Sequence, residues 1–215
     1  MKKRSLREWA VRLALLLGGL IVAHLGVTLF LQSGLGSDPF TVLVQGLSRV
    51  AGISVGTMHI LVTLGLMVVM LLTTRGYVLP GTVVCTFFGG PIIDFFTWLL
   101  GGWINPGLPM VLRIVCSAAG CVILACGMAL VIRSDAGTGA NDLVAVILTD
   151  KLKRFQFRWV RMACDAAFLA GGFALGGDVG LGTVLAVFLV GPAAQRAMPL
   201  AQRLVDRCTR KGESI

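Results

Sequence analysis

The sequence predicts an all-α membrane protein. It is read as six transmembrane helices in two inverted three-helix repeats, each with a short re-entrant or interfacial helix. Three observations carry this reading. Apolar residues make up 56% of the 215 positions and charged residues 13%, with a mean hydropathy of +0.89; a soluble domain of this size has no use for so much apolar surface. Six apolar segments, near 9–31, 54–73, 79–100, 109–132, 157–177 and 180–198, are long enough to span, since ~20 helical residues cross ~30 Å of hydrocarbon. Glycine landmarks also recur in the same order. Gly34-Leu35-Gly36-Ser37-Asp38-Pro39-Phe40 returns as Gly137-Thr138-Gly139-Ala140-Asn141-Asp142-Leu143, 103 residues on. Gly81-Thr82 and Gly90-Pro91 return as Gly182-Thr183 and Gly191-Pro192, 101 residues on. Shared order at nearly one spacing marks two homologous halves.

Residues 1–8 form a basic tail. The run from Trp9 to Leu31 is long enough to span and ends without a small-residue cleavage pattern, so it reads as a span and not a signal peptide. The first repeat covers 9–104 and contains a short helix at 38–49. The second covers 105–198, with a short helix at 141–152, and a basic tail occupies 199–215. Each short run follows a Gly-x-Gly turn. At ~1.5 Å rise per residue its length is ~18 Å, about half a bilayer, so it re-enters or lies flat at the interface.

Basic residues orient the chain. With six crossings and a cytoplasmic N-terminus, 17 of the 19 Lys and Arg lie inside; only Arg49 and Arg113 fall outside. That is the asymmetry of the positive-inside rule, with both termini cytoplasmic in a cell inner (plasma) membrane. It accounts for the net charge of +9 and points to anionic lipid at the cytoplasmic face. Eight crossings would split the central basic loop across both faces. Three crossings per half make the repeats inverted, a recurring design of secondary transporters whose sites lie near the midplane where the halves meet. Some channels share it.

The Gly-x-Gly turn, the small residue and polar pair after it, the short apolar helix and the later Gly-Thr and Gly-Pro resemble the YczE/YyaS/YitT-like family of bacterial membrane proteins, the YczE branch most closely. The resemblance covers nearly the whole chain outside the tails and implies membrane location and topology, not a substrate. Ser37 and Ala140 stand where the family often carries proline, which loosens any transfer of roles to Asp38 and Asn141.

Asp38 before Pro39 is a helix-start signal, and Asn141 with Asp142 holds the matching place in the second half. Capping alone would explain them. The functional reading is that the two helix starts face one cavity and bind a polar or anionic solute, with Gly36 and Gly139 allowing close backbone approach. Asp94 and Asp165 lie within apolar spans, where charge is costly, so each faces protein or water. Arg161, four residues before Asp165, shares its face. An interface residue near the outer end of its span would account for Asp94, and a local ion pair easing insertion for Asp165 with Arg161; ion or proton coupling is the sharper role. His24 and His59 read as lone buried histidines, and Gln45 and Thr57 as contacts between helices.

Cys85, Cys116, Cys121, Cys126, Cys164 and Cys208 lie mostly within apolar runs, with no Cys-x-x-Cys, and read as small core residues. No metal-ligand spacing, cofactor motif or catalytic signature is present, so no metal, cofactor or enzymatic activity is expected. The central loop lacks the aromatic interleaving of a nucleic-acid binder. The leading expectation is a secondary transporter or permease for a small polar solute. A homodimer would be one way to enclose its path. The competing class is a non-transporting accessory protein that stabilises or regulates another membrane or biosynthetic complex.

Overall fold

The computed structural model describes residues 5–74, 77–154 and 157–210, with positions 157, 158 and 210 described by backbone alone. Lys2, Lys3, Arg4, Arg75 and Lys211, used above for orientation, lie outside the described residues. Regular structure among the described residues is helical throughout: α1 (Leu6–Ser33), α2 (Pro39–Ala51), α3 (Val55–Thr73), α4 (Pro80–Leu100), α5 (Met110–Ser134), α6 (Ala140–Leu152), α7 (Phe157–Ala174) and α8 (Leu181–Arg210). Five of them, α1, α3, α4, α5 and α8, are long and apolar enough to cross a membrane. α7 is shorter and carries Arg158, Arg161 and Asp165 within 18 residues; those charges set it apart from the apolar helices.

The basic tail expected from 199 is helical: α8 continues through Pro192 and Pro199 to Arg210. At the other end, Ser5 caps α1 by accepting from the Glu8 amide at 3.1 Å. Helix therefore starts inside the expected N-terminal tail.

α1 and α5 form the central seam. They run antiparallel, with Gly19 against the Gly127 backbone and Gly26 against Gly120. A side chain at any of the four would strike the opposite backbone, so these glycines set how closely the helices approach. Arginines close both ends of the seam. Arg12 donates to the Ser134 carbonyl at 2.9 Å, and Arg113 donates to the carbonyls of Ser33 at 2.6 Å and Gly34 at 3.0 Å. The last carbonyls of a helix lack intrahelical partners, and a cation is favoured there by the helix dipole. α4 packs along α1, and α8 along α5. Ala23, Val27, Phe30, Ile93, Cys121, Leu124 and Ala186 fill the core they share.

Contacts recur at an offset of 101. Leu35 accepts from the Gly182 amide at 2.7 Å, and Ala136 accepts from the Gly81 amide at 2.9 Å. Arg49 pairs with Asp178 at 2.6 Å, while Tyr77 donates to Asp150 at 2.5 Å. The positions of one pair are the positions of the other, 101 residues apart, with the roles exchanged. This offset corrects the alignment of the glycine turns. The residue in the left-handed region that ends α1 is Gly34 (φ 61°), and the one that ends α5 is Asp135 (φ 52°). Gly36 (φ 91°) therefore matches Gly137 (φ 146°), and Gly34 does not. The 103-residue spacing arose because each half contains a Gly-x-Gly, but in different places of the same turn.

Candidate functional site

The re-registered turn decides what starts each short helix. Asp38 caps α2: its Oδ1 accepts from the Thr41 amide at 3.2 Å, and Pro39 occupies the first helical position. At α6 the cap is Gly139, with no side-chain cap bond. Asn141 and Asp142 thus lie inside the first turn of α6, not at its cap, where the sequence had placed them. Asn141 Nδ2 donates to Asp142 Oδ1 at 3.2 Å.

The helix start of α2 runs beside α7. Phe40 meets Phe168 edge-on at 5.5 Å, and Gly46 lies against Gly172, Leu175 and Gly177. The start of α6 meets α7 from the other side: Arg161 Nη1 donates to Asp142 Oδ1 at 2.6 Å, and Arg161 Nε lies 3.1 Å from Asp165 Oδ2. The charges of Asp165 and Arg161 both act on Asp38. Asp38 in turn lies within electrostatic reach of Cys121, a fully buried residue near the middle of α5. The structure therefore joins Asp142, Arg161 and Asp165 by ion pairs between α6 and α7, with Asp38 at the start of α2 near enough for the charges of Arg161 and Asp165 to act on it.

These groups are unequally satisfied. Arg161 divides its guanidinium between two carboxylates, and the three side chains are 21–32% exposed. Asp38 Oδ2 is buried with no hydrogen-bond partner, as are Ser37 Oγ, His59 Nδ1 and Thr82 Oγ1. A buried polar atom left unpaired costs about 1–3 kcal/mol.

Asp94 stands apart. Its Oδ2 accepts from Ser54 Oγ at 2.6 Å and its Oδ1 from the Gly56 amide at 2.9 Å, so it secures the start of α3 from α4. It is not among the charges that act on Asp38. Gly36 packs against Gly180 and Thr183, at the foot of α8, where a side chain would not fit. Gly139 fills its role through its backbone, as the α6 cap.

Sequence reasoning missed two features. His24 and His59, read as separate, meet edge-on at 5.3 Å, and His59 also meets Phe40 at 5.7 Å. His24 Nδ1 donates to the Leu20 carbonyl at 2.8 Å. The pair comes from different helices, and no spacing announces it. The second is Asp178, which binds Arg49 and also accepts from Gln45 Nε2 at 2.9 Å, while Gln45 Oε1 accepts from the Asp178 amide at 2.7 Å. Applying the 101 offset to Tyr77 and Asp150 would have pointed to Asp178 and Arg49.

The comparisons with known proteins agree with this architecture in extent. YyaS of Bacillus subtilis (strain 168), described as an uncharacterized protein, is 28% identical over 194 residues, 90% of this chain and 96% of the relative. YczE of the same organism, described as an uncharacterized membrane protein, is 26% identical over 208 residues, 96% of this chain and 92% of the relative. An uncharacterized protein of Haemophilus influenzae is 29% identical over 196 residues, 89% of this chain and 85% of the relative. No solved structure matches. The family of unknown function DUF6198 matches residues 10–199, nearly the whole of the described helical body, and the chain belongs to it.

Proposed function

We propose that the protein is a secondary transporter or permease for a small polar solute in the bacterial inner membrane. Six spans would form two inverted repeats, with α7 as the sixth. The observation that carries this reading is the assembly of Asp38, Asp142, Arg161 and Asp165 where the starts of both short helices converge on α7. Intramembrane charges are expensive unless they face protein or water. Here Arg161 is paired with Asp142 and Asp165, which makes α7 tolerable as a span. The exchanged contacts at one 101-residue offset support an inverted repeat, and the convergence of short helices between repeats is where such folds bind solute.

The arrangement of helices around the cluster supports access from one side. α2 and the α7–α8 connection are sealed to each other by Arg49, Gln45 and Asp178, and the crevice beside them, lined by Phe30, Ser37 and Gly36, is too narrow for water. α7 leans on α2 and α6, while α8 leans on α5.

The accessory reading has one observation of its own: large apolar side chains of α8 are exposed, including Val184, Val187, Phe188 and Leu200. Lipid or a partner protein would cover them equally well. Cysteine accessibility separates the two readings. On a cysteine-free background in reconstituted vesicles, single cysteines replace Asp38, Asp94, Asn141 and Asp165, and each is probed with an impermeant thiol reagent from either side. Labelling at 165 that changes when solutes are added supports transport. Protection of both 38 and 165 from both sides removes the water path and leaves the accessory role.

A further inference from the structure

We propose that the outward face at the end of α8 is a docking surface for anionic phospholipid headgroups, held by Arg196, Arg203 and Arg207. The first argument is length. α8 runs 30 residues, ~45 Å at ~1.5 Å rise per residue, against ~30 Å of hydrocarbon. Counted from Leu181, the ~20 residues that cross a bilayer reach Leu200. Arg203 and Arg207 then stand at headgroup depth. Arg196, one turn inside, has a side chain long enough to reach outward to the same level. At the 101-residue offset α8 corresponds to α4, which stops at Leu100, so the last turns of α8 have no helical counterpart there.

The second argument is the arrangement around the helix. Spacings of seven and four residues place the three arginines in one stripe, and all three are exposed. Leu200 and Leu204, also exposed, flank the stripe on one side. Ala201 and Val205 are buried and lie on the opposite side of the helix. Packing therefore turns the arginines outward.

The third argument is that these arginines have no work inside the protein. Arg12, Arg49, Arg113 and Arg161 are each committed to a carbonyl or a carboxylate. Among the described residues Arg196, Arg203 and Arg207 enter no ion pair. Asp206, the acid of this stretch, accepts from Gln202 Nε2 at 2.9 Å instead. Guanidinium forks suit phosphate, and leucines set between them suit acyl chains. A phospholipid offers both chemistries in the order that a helix leaving the bilayer meets them; a soluble anion offers only the first.

The opposite end of the bundle sharpens the assignment. α4 starts where the Gly81 amide bonds Ala136, past the end of α5, and α8 starts where the Gly182 amide bonds Leu35, past the end of α1. The two helices thus run in opposite directions. α4 closes on exposed Phe95 and Trp98, with exposed Trp103 just beyond. Such aromatics anchor at an interface without selecting headgroup charge. The counterpart of Phe95 is Arg196. One end of the bundle is therefore fitted to any interface, and the other to a negative one.

The lipid contact does not depend on solute transport, and its test is separate. Full-length protein in neutral maltoside micelles is followed by thermal unfolding at fixed ionic strength. The probes are dioleoyl phosphatidylglycerol, dioleoyl phosphatidylcholine and sodium phosphate. A saturable rise in Tm is expected with phosphatidylglycerol and with neither of the others. Each arginine at an anionic surface contributes about fivefold. The double variant Arg203→Gln/Arg207→Gln should therefore raise the half-saturating phosphatidylglycerol concentration about thirtyfold. Arg196→Gln alone should raise it about fivefold, which keeps the test open if the double variant fails to fold. Arg154→Gln removes an exposed charge at the end of α6 and should leave it unchanged. An equal loss in Arg154→Gln overturns the stripe in favour of net charge. An equal rise with phosphatidylcholine overturns the headgroup selectivity, and an equal rise with phosphate overturns the lipid. No rise with phosphatidylglycerol overturns the docking surface and leaves this face to a protein partner.

Discussion

α3 and α7 correspond at the 101-residue offset, yet they pack differently. α3 lies tight along α4: Gly56 and Gly90 bring their backbones into contact, and Asp94 reaches across to Ser54 and the Gly56 amide. The counterpart of Gly90 is Gly191, where an added Cβ would meet nothing within 4 Å, and the counterpart of Asp94 is Gln195, which is exposed. The counterpart of Gly56 is Phe157. A contact between helix backbones needs a small residue on both helices, and the second half keeps only one of the two. The first half therefore bolts α3 to α4, while α7 packs on α2, where Gly172 meets the backbone of Val42 and Leu43, and is tied to α6 by the Arg161–Asp142 ion pair. This contrast teaches that two helices related by one sequence offset can hold the same place in the element order while one of them exchanges its close-packed neighbour and adds charge.

Substitutions at four matched pairs of positions break or sharpen that contrast. The largest effect is expected at the ion pairs. Arg161→Met leaves Asp142 and Asp165 without their cation and should destabilise by about 2–3 kcal/mol, less than a fully buried pair because both acids are partly exposed. Its counterpart Ile60→Met should cost less than about 1.5 kcal/mol. Thermal unfolding in detergent compares the two, and near-equal losses would deny the special role of α7. Next, Gly90→Ala forces α3 and α4 apart and should cost about 1–3 kcal/mol. Gly191→Ala meets open space and should instead stabilise by about 0.5–1 kcal/mol through helix propensity. Opposite signs in Tm are the diagnostic result.

Asp94→Ala removes the support of the α3 start and should cost about 1–2 kcal/mol. Gln195→Ala should stay within about 0.5 kcal/mol of the parent. If Asp94 carries coupling as well as support, Asp94→Asn would abolish solute-driven labelling changes at 165 while leaving Tm nearly intact. The smallest effect is at the rim. Tyr77→Phe deletes one exposed hydrogen bond to Asp150 and should cost about 0.5–1 kcal/mol. Asp178→Ala deletes bonds to both Arg49 and Gln45 and should cost more.

Much of the architecture was legible in advance. Short helices near 38–49 and 141–152 appear as α2 and α6 within a few residues, because Pro39 and the loss of long apolar runs are local signals. The charged residues of the cluster were also legible one by one, since a carboxylate in an apolar run is conspicuous. Their companionship was not. Asp38 and Asp165 are separated by 127 residues of chain, and only the parallel packing of α2 on α7 joins them. The equivalence of Asp38 with Asn141 failed for a definite reason: a Gly-x-Gly motif does not say which of its glycines must take positive φ. Gly34 and Gly36 both do, but in the second half Asp135 takes the first of these places.

By itself the sequence determined that this chain is helical and that most of its helices suit hydrocarbon. Those properties follow from composition and period, which each segment carries locally. Tertiary structure alone decided that Arg161 serves Asp142 as well as Asp165, that His24 faces His59, that Asp94 secures α3, and that one oxygen of Asp38 is left unpaired. Each is a pairing between distant segments. Its energy depends on which helices touch and at what register, and no local pattern in the chain records that.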